Sequence, residues 1–331
     1  MKPFSHGNAT SIEEALEALS GMSWPLAGGT DLLALMKEEV AAPERLVNLK
    51  TILGLDAIAE RQSGNENEWH IGALTTLSAL SQTPAFADHL GLRCLVQAAQ
   101  ESASPQLRHM ATLGGNLVQR PRCWYFRNRH VPCWRKGGRR CFAFKGENKY
   151  HTILGGGPCY AVHPSDPAVA LLALNASLLI AGAQGRRVVS LEDFYVMPRP
   201  DRQREDGYHP VTILEPNEIL TAIVVPEPQA NSRSVYVKRT ERGAWDFALV
   251  SAAASLRLED DVVKEARIAL GGVAAIPWRA NAVEEVLIGQ PLSPELIEHA
   301  AGAAVAEAKP LEHNAYKVDL IKGALRQALQ I

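Results

Sequence analysis

Along the chain, apolar positions switch between a helical and an alternating period, with turn residues at the switches. "SIEEALEALS" has helical spacing and opens on Ser11 and Glu14, the pair that forms a capping box. "PLAGGTDLLALM" reads as a strand end, a glycine turn and a helix start. "RLVNLKTI" predicts a strand, "WHIGALTTLSAL" a strand and then a helix, and "GLRCLVQAAQES" a further helix. "ATLGGNLVQ" reads as strand, glycine turn, strand, and "YAVHPSDPAVALLALNASLLIAG" as strand, capped helix, strand. In the last third, "SVYVKRT", "DFALVSAAASLRL" and "VVKEARIALGGVA" carry the β-branched, alternating pattern of strands. "ANAVEEVLIG" and "SPELIEHAAGAAVAEA" are helical, the second with Ser293 as N-cap and Pro294 at the first helical position. The polar run "RPDRQREDGYHP" predicts a domain boundary, giving residues 1–210 and 211–331 of an α+β chain.

Composition narrows the class. A chain of 331 residues can build two or three cores. Lysine and arginine total 34 against 36 acids, so no global charge calls for nucleic acid or an anionic membrane. The N-terminal stretch lacks the apolar core of a secretory signal, which predicts a cytoplasmic chain by its own sequence. The most apolar run, "PAVALLALNASLLIAGA", is broken by Asn175 and Ser177 and is shorter than a bilayer span, so no membrane span is expected. Five cysteines, an odd number, do not suggest a disulfide scaffold.

Two segments share one design. "AGGTDLL" (27–33) and "ATLGGNL" (111–117) each pair two glycines with polar neighbours, Thr30 in the first and Thr112 and Asn116 in the second. Glycine pairs allow positive φ and close backbone approach, and exposed N–H groups with such side chains make an anion-binding nest suited to a pyrophosphate. Either could equally be an ordinary tight turn. Neither is a Rossmann or Walker loop. In "HPSDPAVALL", Asp166 at a helix start reads either as a cap or as a carboxylate accepting from a ribose hydroxyl.

Residues 117–164 contain Cys123, Cys133, Cys141 and Cys159, with little periodicity. From Arg120 to Lys149 there are ten Lys or Arg against one acid, Glu147. Zinc, nucleic acid, a disulfide frame and an iron–sulfur cluster are all conceivable. No C-x-x-C knuckle supports a zinc ribbon, and disulfides would need an oxidising compartment. Four thiolates from one loop can hold a 4Fe-4S cluster, whose negative charge the surrounding cations would offset. Nothing else in the chain supports nucleic-acid binding. Cys94, in a helical apolar run, reads as a buried residue.

Taken together, "AGGTDLL", "PQLRHMATLGGNL" and "SDPAVAL", followed by "KRTERGAWDFALVS", closely resemble the FAD-binding subunit of the molybdenum hydroxylases. That family includes xanthine dehydrogenase, aldehyde oxidase and carbon monoxide dehydrogenase. The likeness extends through "ARIALGGVAAIPWRA" and "NAYKVDL", nearly the full length. It implies a two-lobed FAD-binding domain of the vanillyl-alcohol oxidase (PCMH) type with a small C-terminal α+β domain. It implies that Ala27, Gly28, Gly29, Thr30, Asp31 and Leu32, with Thr112, Gly114, Gly115 and Asn116, hold the FAD pyrophosphate. Ser165 and Asp166 match a pair near the adenosine ribose. Lys238 and Arg242 match a Lys-x-x-x-Arg element whose lysine lies near the pyrimidine edge of the flavin, where a cation favours the reduced form.

The insert at 118–160 resembles that of a family subset, the periplasmic aldehyde-oxidising enzymes and the 4-hydroxybenzoyl-CoA reductases. Its Arg-Cys-x-Tyr-Phe pattern is nearer the aldehyde-oxidising group. The likeness implies that Cys123, Cys133, Cys141 and Cys159 ligate a 4Fe-4S cluster. As a separate module, the insert would lose iron on Cys133→Ser while leaving much of the FAD. The function implied is electron transfer in a heterotrimer that converts aldehyde and water to carboxylate. A large molybdenum-cofactor subunit and a small subunit with two 2Fe-2S clusters would be the partners, and FAD would pass the electrons to an external acceptor. A Tat-targeted partner could carry the folded chain to the periplasm. Alternatives are a subunit of a 4-hydroxybenzoyl-CoA reductase-like or xanthine dehydrogenase-like enzyme, or a self-contained FAD oxidase using His109, His163 or Tyr195. A zinc- or nucleic-acid-binding scaffold is the non-enzymatic alternative.

Overall fold

The computed structural model describes residues 1–64, 66–204 and 207–330. Three sheets organise them. The first is parallel and three-stranded: β1 (Ser5–Asn8), β2 (Ser23–Leu26) and β3 (Arg45–Asn48), with β3 in the middle. Parallel neighbours need a crossover. The helix Ile12–Ala18 joins β1 to β2, and the helix Leu32–Lys37 follows β2 before the chain reaches β3. Ser11 caps the first helix as expected, accepting from Glu14 N at 3.1 Å, but Glu14 reaches one residue past the cap and accepts from Thr10 N at 2.7 Å.

The second sheet is antiparallel and five-stranded, in the order β4 (Ile58–Ser63), β5 (Glu66–Gly72), β8 (Ile219–Pro226), β6 (Ser177–Gly182), β7 (Gly185–Ser190). Its centre is β8, which pairs with both β5 and β6. The expected break near residue 210 would cut β8 from the sheet it completes; the chain leaves this body only after Pro226. Glu205 and Asp206 of the polar run lie outside the described residues. The third sheet comprises β9 (Ser232–Arg239), β10 (Val250–Glu259), β11 (Val262–Gly271) and the short β12 (Trp278–Arg279), antiparallel in the order β12-β11-β10-β9.

Two helices from the first body, Arg93–Glu101 and Asp166–Ala173, pack against one another and against strands of the third sheet. Every residue of Asp166–Ala173 is buried. The first half of the most apolar run is therefore a helix covered on all sides, as its lack of a polar stripe requires, and the second half is β6. Among the described residues no helix is long and apolar enough to cross a membrane. The helices Asn281–Leu287, Pro294–Ala303 and Lys317–Ala328 build a second core with β10 and β11. Ser293 caps the middle one through Leu296 N at 3.2 Å, with Pro294 in its first turn, as expected.

Two local expectations fail. "ATLGGNLVQ" is not a strand pair: Leu113–Leu117 is a short helix, because Thr112 Oγ1 caps Gly115 N at 3.1 Å and the apolar run is too brief to distinguish the periods. Tyr160–His163 forms no strand; its bonds go to scattered partners, Tyr160 O accepting from Thr152 N and His163 N donating to Ala274 O.

Candidate flavin and cysteine sites

The two glycine segments meet. A Cβ on Gly28 would lie 1.8 Å from the Met110 carbonyl oxygen, so the first loop rests directly on the chain entering the second. Gly28 is thus required by chain-on-chain packing, beyond any ligand approach the sequence suggested. Gly29 has φ +71°, and a Cβ on Gly114 would strike Ala73 at 2.8 Å. Gly115 differs: beyond its own cap Thr112, the nearest atom to its missing Cβ is the Ala27 Cβ at 4.0 Å. The two loops therefore approach one another at Gly115 and Ala27, near van der Waals distance. Thr30 and Leu32 sit half-buried in the first loop.

Asn116 continues this face. Its Oδ1 accepts from Ser165 Oγ at 2.5 Å, and Ser165 also caps the helix Asp166–Ala173 through Ala168 N at 3.1 Å. The cap is Ser165, which frees the Asp166 carboxylate for other work. That carboxylate is fully engaged within the protein. Oδ1 accepts from Tyr236 OH at 2.6 Å; Oδ2 accepts from Lys238 Nζ at 2.8 Å and Ser102 Oγ at 3.3 Å. Lys238 also donates to Glu101 O at 2.8 Å, and the side chains of the pair are 2% and 7% exposed. Asp166 and Lys238 therefore form one buried ion pair rather than two separate contacts. Tyr236 and Ser102 were missed by the sequence reading. Tyr236 lies two residues before Lys238 on β9, hence on the same strand face, and that spacing was its available signal. Arg242 lies apart from this pair, 66% exposed beside Asp246 at 3.4 Å.

Asp31 turns to the insert. Its carboxylate binds Arg127 at 2.7 Å, Arg122 at 3.0 Å and the Arg120 backbone N–H at 2.9 Å. Burial pushes the Arg122 pKa down against the pull of Asp31. Arg122 Nε is buried with no partner, an open donor beside the glycine loops.

The four insert cysteines are unbridged. Cys141 and Cys159 hydrogen-bond through their side chains, and Cys159 interacts with Cys123 and Cys133 as well. At Cys159 the Cys141 hydrogen bond favours the thiolate and is aided by the Arg135 guanidinium, while Ala161 N donates to its sulfur at 3.5 Å. Cys141, the donor of that pair, is held protonated. Burial pushes the Cys123 thiol up to about 12. His151 Nε2 lies 3.3 Å from the Cys123 sulfur, and burial lowers that histidine to about 4, leaving a neutral ring. Among the described residues no three His, Cys, Asp or Glu side chains are gathered closely enough to hold a metal ion. Trp134 packs with Cys159 and Cys123 and stacks on His209 at 3.6 Å, while Trp124 and Phe144 are exposed. Cys94 is buried, and burial raises its thiol to about 12.

The residues considered for a self-contained oxidase do not form a site. His163 and Tyr195 are buried edge-to-face at 4.5 Å, and burial lowers His163 to about 3. Tyr195 OH is spent on Leu117 O at 3.1 Å, and His109 is exposed.

Residues 2–228 match the family described as the FAD binding domain in molybdopterin dehydrogenase, and residues 235–331 match the CO dehydrogenase flavoprotein C-terminal domain. The chain is 34% identical over 336 positions to the aldehyde oxidoreductase FAD-binding subunit PaoB of Escherichia coli, covering 99% of this chain and 98% of that one. It is 27% identical to the carbon monoxide dehydrogenase medium chain of Afipia carboxidovorans, over 99% of this chain and 96% of that one. A solved structure of reconstituted CO dehydrogenase from Oligotropha carboxidovorans superposes with a TM-score of 0.75 at 26% identity, covering 100% and 98% of the two chains. With a PCMH-type domain followed by its flavoprotein C-terminal domain, this chain belongs to the FAD-binding subunits of the molybdopterin dehydrogenases, an oxidoreductase family.

Proposed function

We propose that this chain is the electron-transfer flavoprotein of a heterotrimeric molybdenum hydroxylase that oxidises aldehydes. The observation that carries the reading is the end-to-end 34% match to an aldehyde oxidoreductase FAD-binding subunit. Aldehyde and water would become carboxylate on a large molybdenum-cofactor partner, releasing two electrons and protons. A small partner with two 2Fe-2S clusters would deliver the electrons to this chain, and an external acceptor would remove them. A Tat-targeted partner would take the folded assembly to the periplasm.

Bound FAD supplies a carrier that collects electrons and hands them on. The meeting of the two glycine loops, Gly28 on Met110 and Ala27 beside Gly115, supports its placement on Ala27, Gly28, Gly29, Thr30, Asp31 and Leu32 with Thr112, Gly114, Gly115 and Asn116. Backbone N–H groups of both loops would bind the pyrophosphate without displacing side chains. Ser165 orients Asn116 through their shared bond. Asp166 acts through Lys238: pairing fixes an ammonium that would otherwise swing freely. Two acceptors engage Lys238 and hold its ammonium in one place, from where its charge would favour the reduced flavin. Arg242, in the turn after β9, adds a second cation.

Cys123, Cys133, Cys141 and Cys159 would hold a 4Fe-4S cluster, a one-electron carrier. Four unbridged thiols support this assignment, Cys141 hydrogen-bonded to Cys159 and both Cys123 and Cys133 within electrostatic reach of Cys159. Arg135 beside Cys159 offsets its anionic charge.

The deciding experiment is anaerobic purification with the partner subunits, followed by absorption and quantified flavin, iron and zinc. Expected are one FAD and, for this chain, about four irons beyond those of the partner clusters, with bleaching of the flavin on aldehyde addition. Zinc in place of that iron would leave the flavoprotein and remove the cluster. Bleaching by purines but not by aldehydes would reassign the substrate.

A further inference from the structure

One carboxylate joins the glycine loop to the cysteine insert. Asp31 closes the segment Ala27–Asp31, whose Gly28 rests on Met110. Its side chain, only 15% exposed, takes three donors from the eight residues 120–127 that carry Cys123: Arg120 N at 2.9 Å, Arg122 at 3.0 Å and Arg127 at 2.7 Å. Arg127 grips the same segment a second time, through Pro121 O at 2.8 Å and Arg120 O at 3.0 Å. Arg122, adjacent to Cys123, also covers the Phe247 ring at 5.0 Å, beside the turn that carries Arg242. Two guanidinium groups and a backbone N–H on one partly buried carboxylate form a charge-assisted clamp with fixed geometry.

We infer that Asp31 couples the two cofactor sites, so that the flavin is held more tightly when the cysteine insert is loaded and the insert more tightly when the flavin is bound. The inference rests on the flavin and cluster assignments proposed above. Its physical basis is the insert's lack of any extended backbone ladder. Ligation at Cys123 would order Arg122 and Arg127, these would fix Asp31, and Asp31 would fix the glycine loop assigned to the pyrophosphate. With the cysteines empty, flavin binding must itself supply that ordering and is weakened accordingly. Coupling of this kind is reciprocal by thermodynamic necessity.

The test measures the FAD dissociation constant of the full-length chain after reversible flavin removal, with iron present and after anaerobic chelation. Wild type is expected to bind FAD roughly tenfold more weakly without iron. In Asp31→Asn that ratio falls towards one, while FAD binding in the iron-loaded protein drops to near the iron-free level. The reciprocal readout is the rate of iron loss to chelator, slowed by FAD in wild type and indifferent to FAD in the variant. A merely structural aspartate would lower the melting temperature and leave the ratio unchanged. Glu39→Ala, which cuts the exposed contact of the insert through Arg129, should keep the full ratio. An undiminished ratio in Asp31→Asn overturns the inference. Should that variant fail to fold, Arg127→Gln cuts the clamp from the insert side and is judged by the same ratio. Wild type that binds no FAD or no iron would instead overturn the cofactor assignments, and the coupling with them.

Discussion

The glycine loops and the cysteine insert are both irregular backbone, yet they are held in opposite ways. Each loop is bounded by regular structure and closed by a single tight contact: Thr112 caps Gly115 three residues away, and Gly28 lies flush on Met110 of the other loop's approach. The insert depends on distant chain. Asn314 donates to His151 O and Thr152 O at 3.1 Å each, Tyr316 OH donates to Lys149 O at 2.9 Å, and Ile153 N bonds Val273 O. Arg135 O accepts from His209 N at 3.1 Å. Residues 118–160 are therefore no separate module but a wedge between the flavin loops and the C-terminal domain. A loop fixed by local sterics should fail abruptly at one atom; a wedge fixed by many partners should fail in stages.

The largest effect is expected for Gly28→Val. The new Cβ would overlap the Met110 carbonyl, forcing the loops apart and emptying the flavin site. Flavin per purified chain reads this directly, and full FAD retention would remove the site from the loops. On the insert's side, Lys317 is buried where the C-terminal helix meets the wedge, with Nζ on Gly272 O at 2.6 Å, and burial lowers it to about 7. Below that pH both folded and unfolded chains carry the charge, and the burial cost is complete. Between about pH 7 and the unfolded value near 10.4, the unfolded chain keeps a proton the folded chain sheds, so stability rises with pH. Lys317→Met should abolish that rise, a difference of up to about 4–5 kcal/mol. Denaturant titrations across the window would show it, and parallel slopes in the two proteins would refute it.

Asn314→Ala should cost less, about 2–3 kcal/mol, because it strips donors from two buried carbonyls of the insert. Hydrogen exchange should rise in residues 148–154 while the glycine loops stay protected; uniform loosening of both would erase the contrast. The smallest effect belongs to Glu39→Ala. Its Arg129 partner is 48% exposed, so stability should change by no more than about 0.5 kcal/mol, with flavin and iron contents unchanged.

Most elements were legible because their signals are local. The cap at Ser11, the Ser293–Pro294 start and the alternation of β9, β10 and β11 depend on neighbours a few residues away. The domain boundary was not legible. A polar run at 199–210 looks like a linker, but β8 beyond it returns to the centre of an earlier sheet, and strand pairing over such separation leaves no trace in local periodicity. The site residues divide the same way. Glycine pairs, the Ser165–Asp166 pair and the four cysteines announce themselves by type and spacing. What each side chain does there is decided by what reaches it from afar.

Sequence alone determined the family, the two glycine pairs, the set of thiols and the alternating strands of the last third, since each rests on residue identity and short-range period. Only the tertiary structure decided that Asp166 is committed to Lys238, that Asp31 belongs as much to the insert as to its own loop, and that Gly28 yields to Met110. Those are contacts between segments roughly 70 to 100 residues apart, judged from their sequence numbers. Their energies depend on distance, desolvation and the exclusion of one atom by another, and these exist only once the chain has closed on itself.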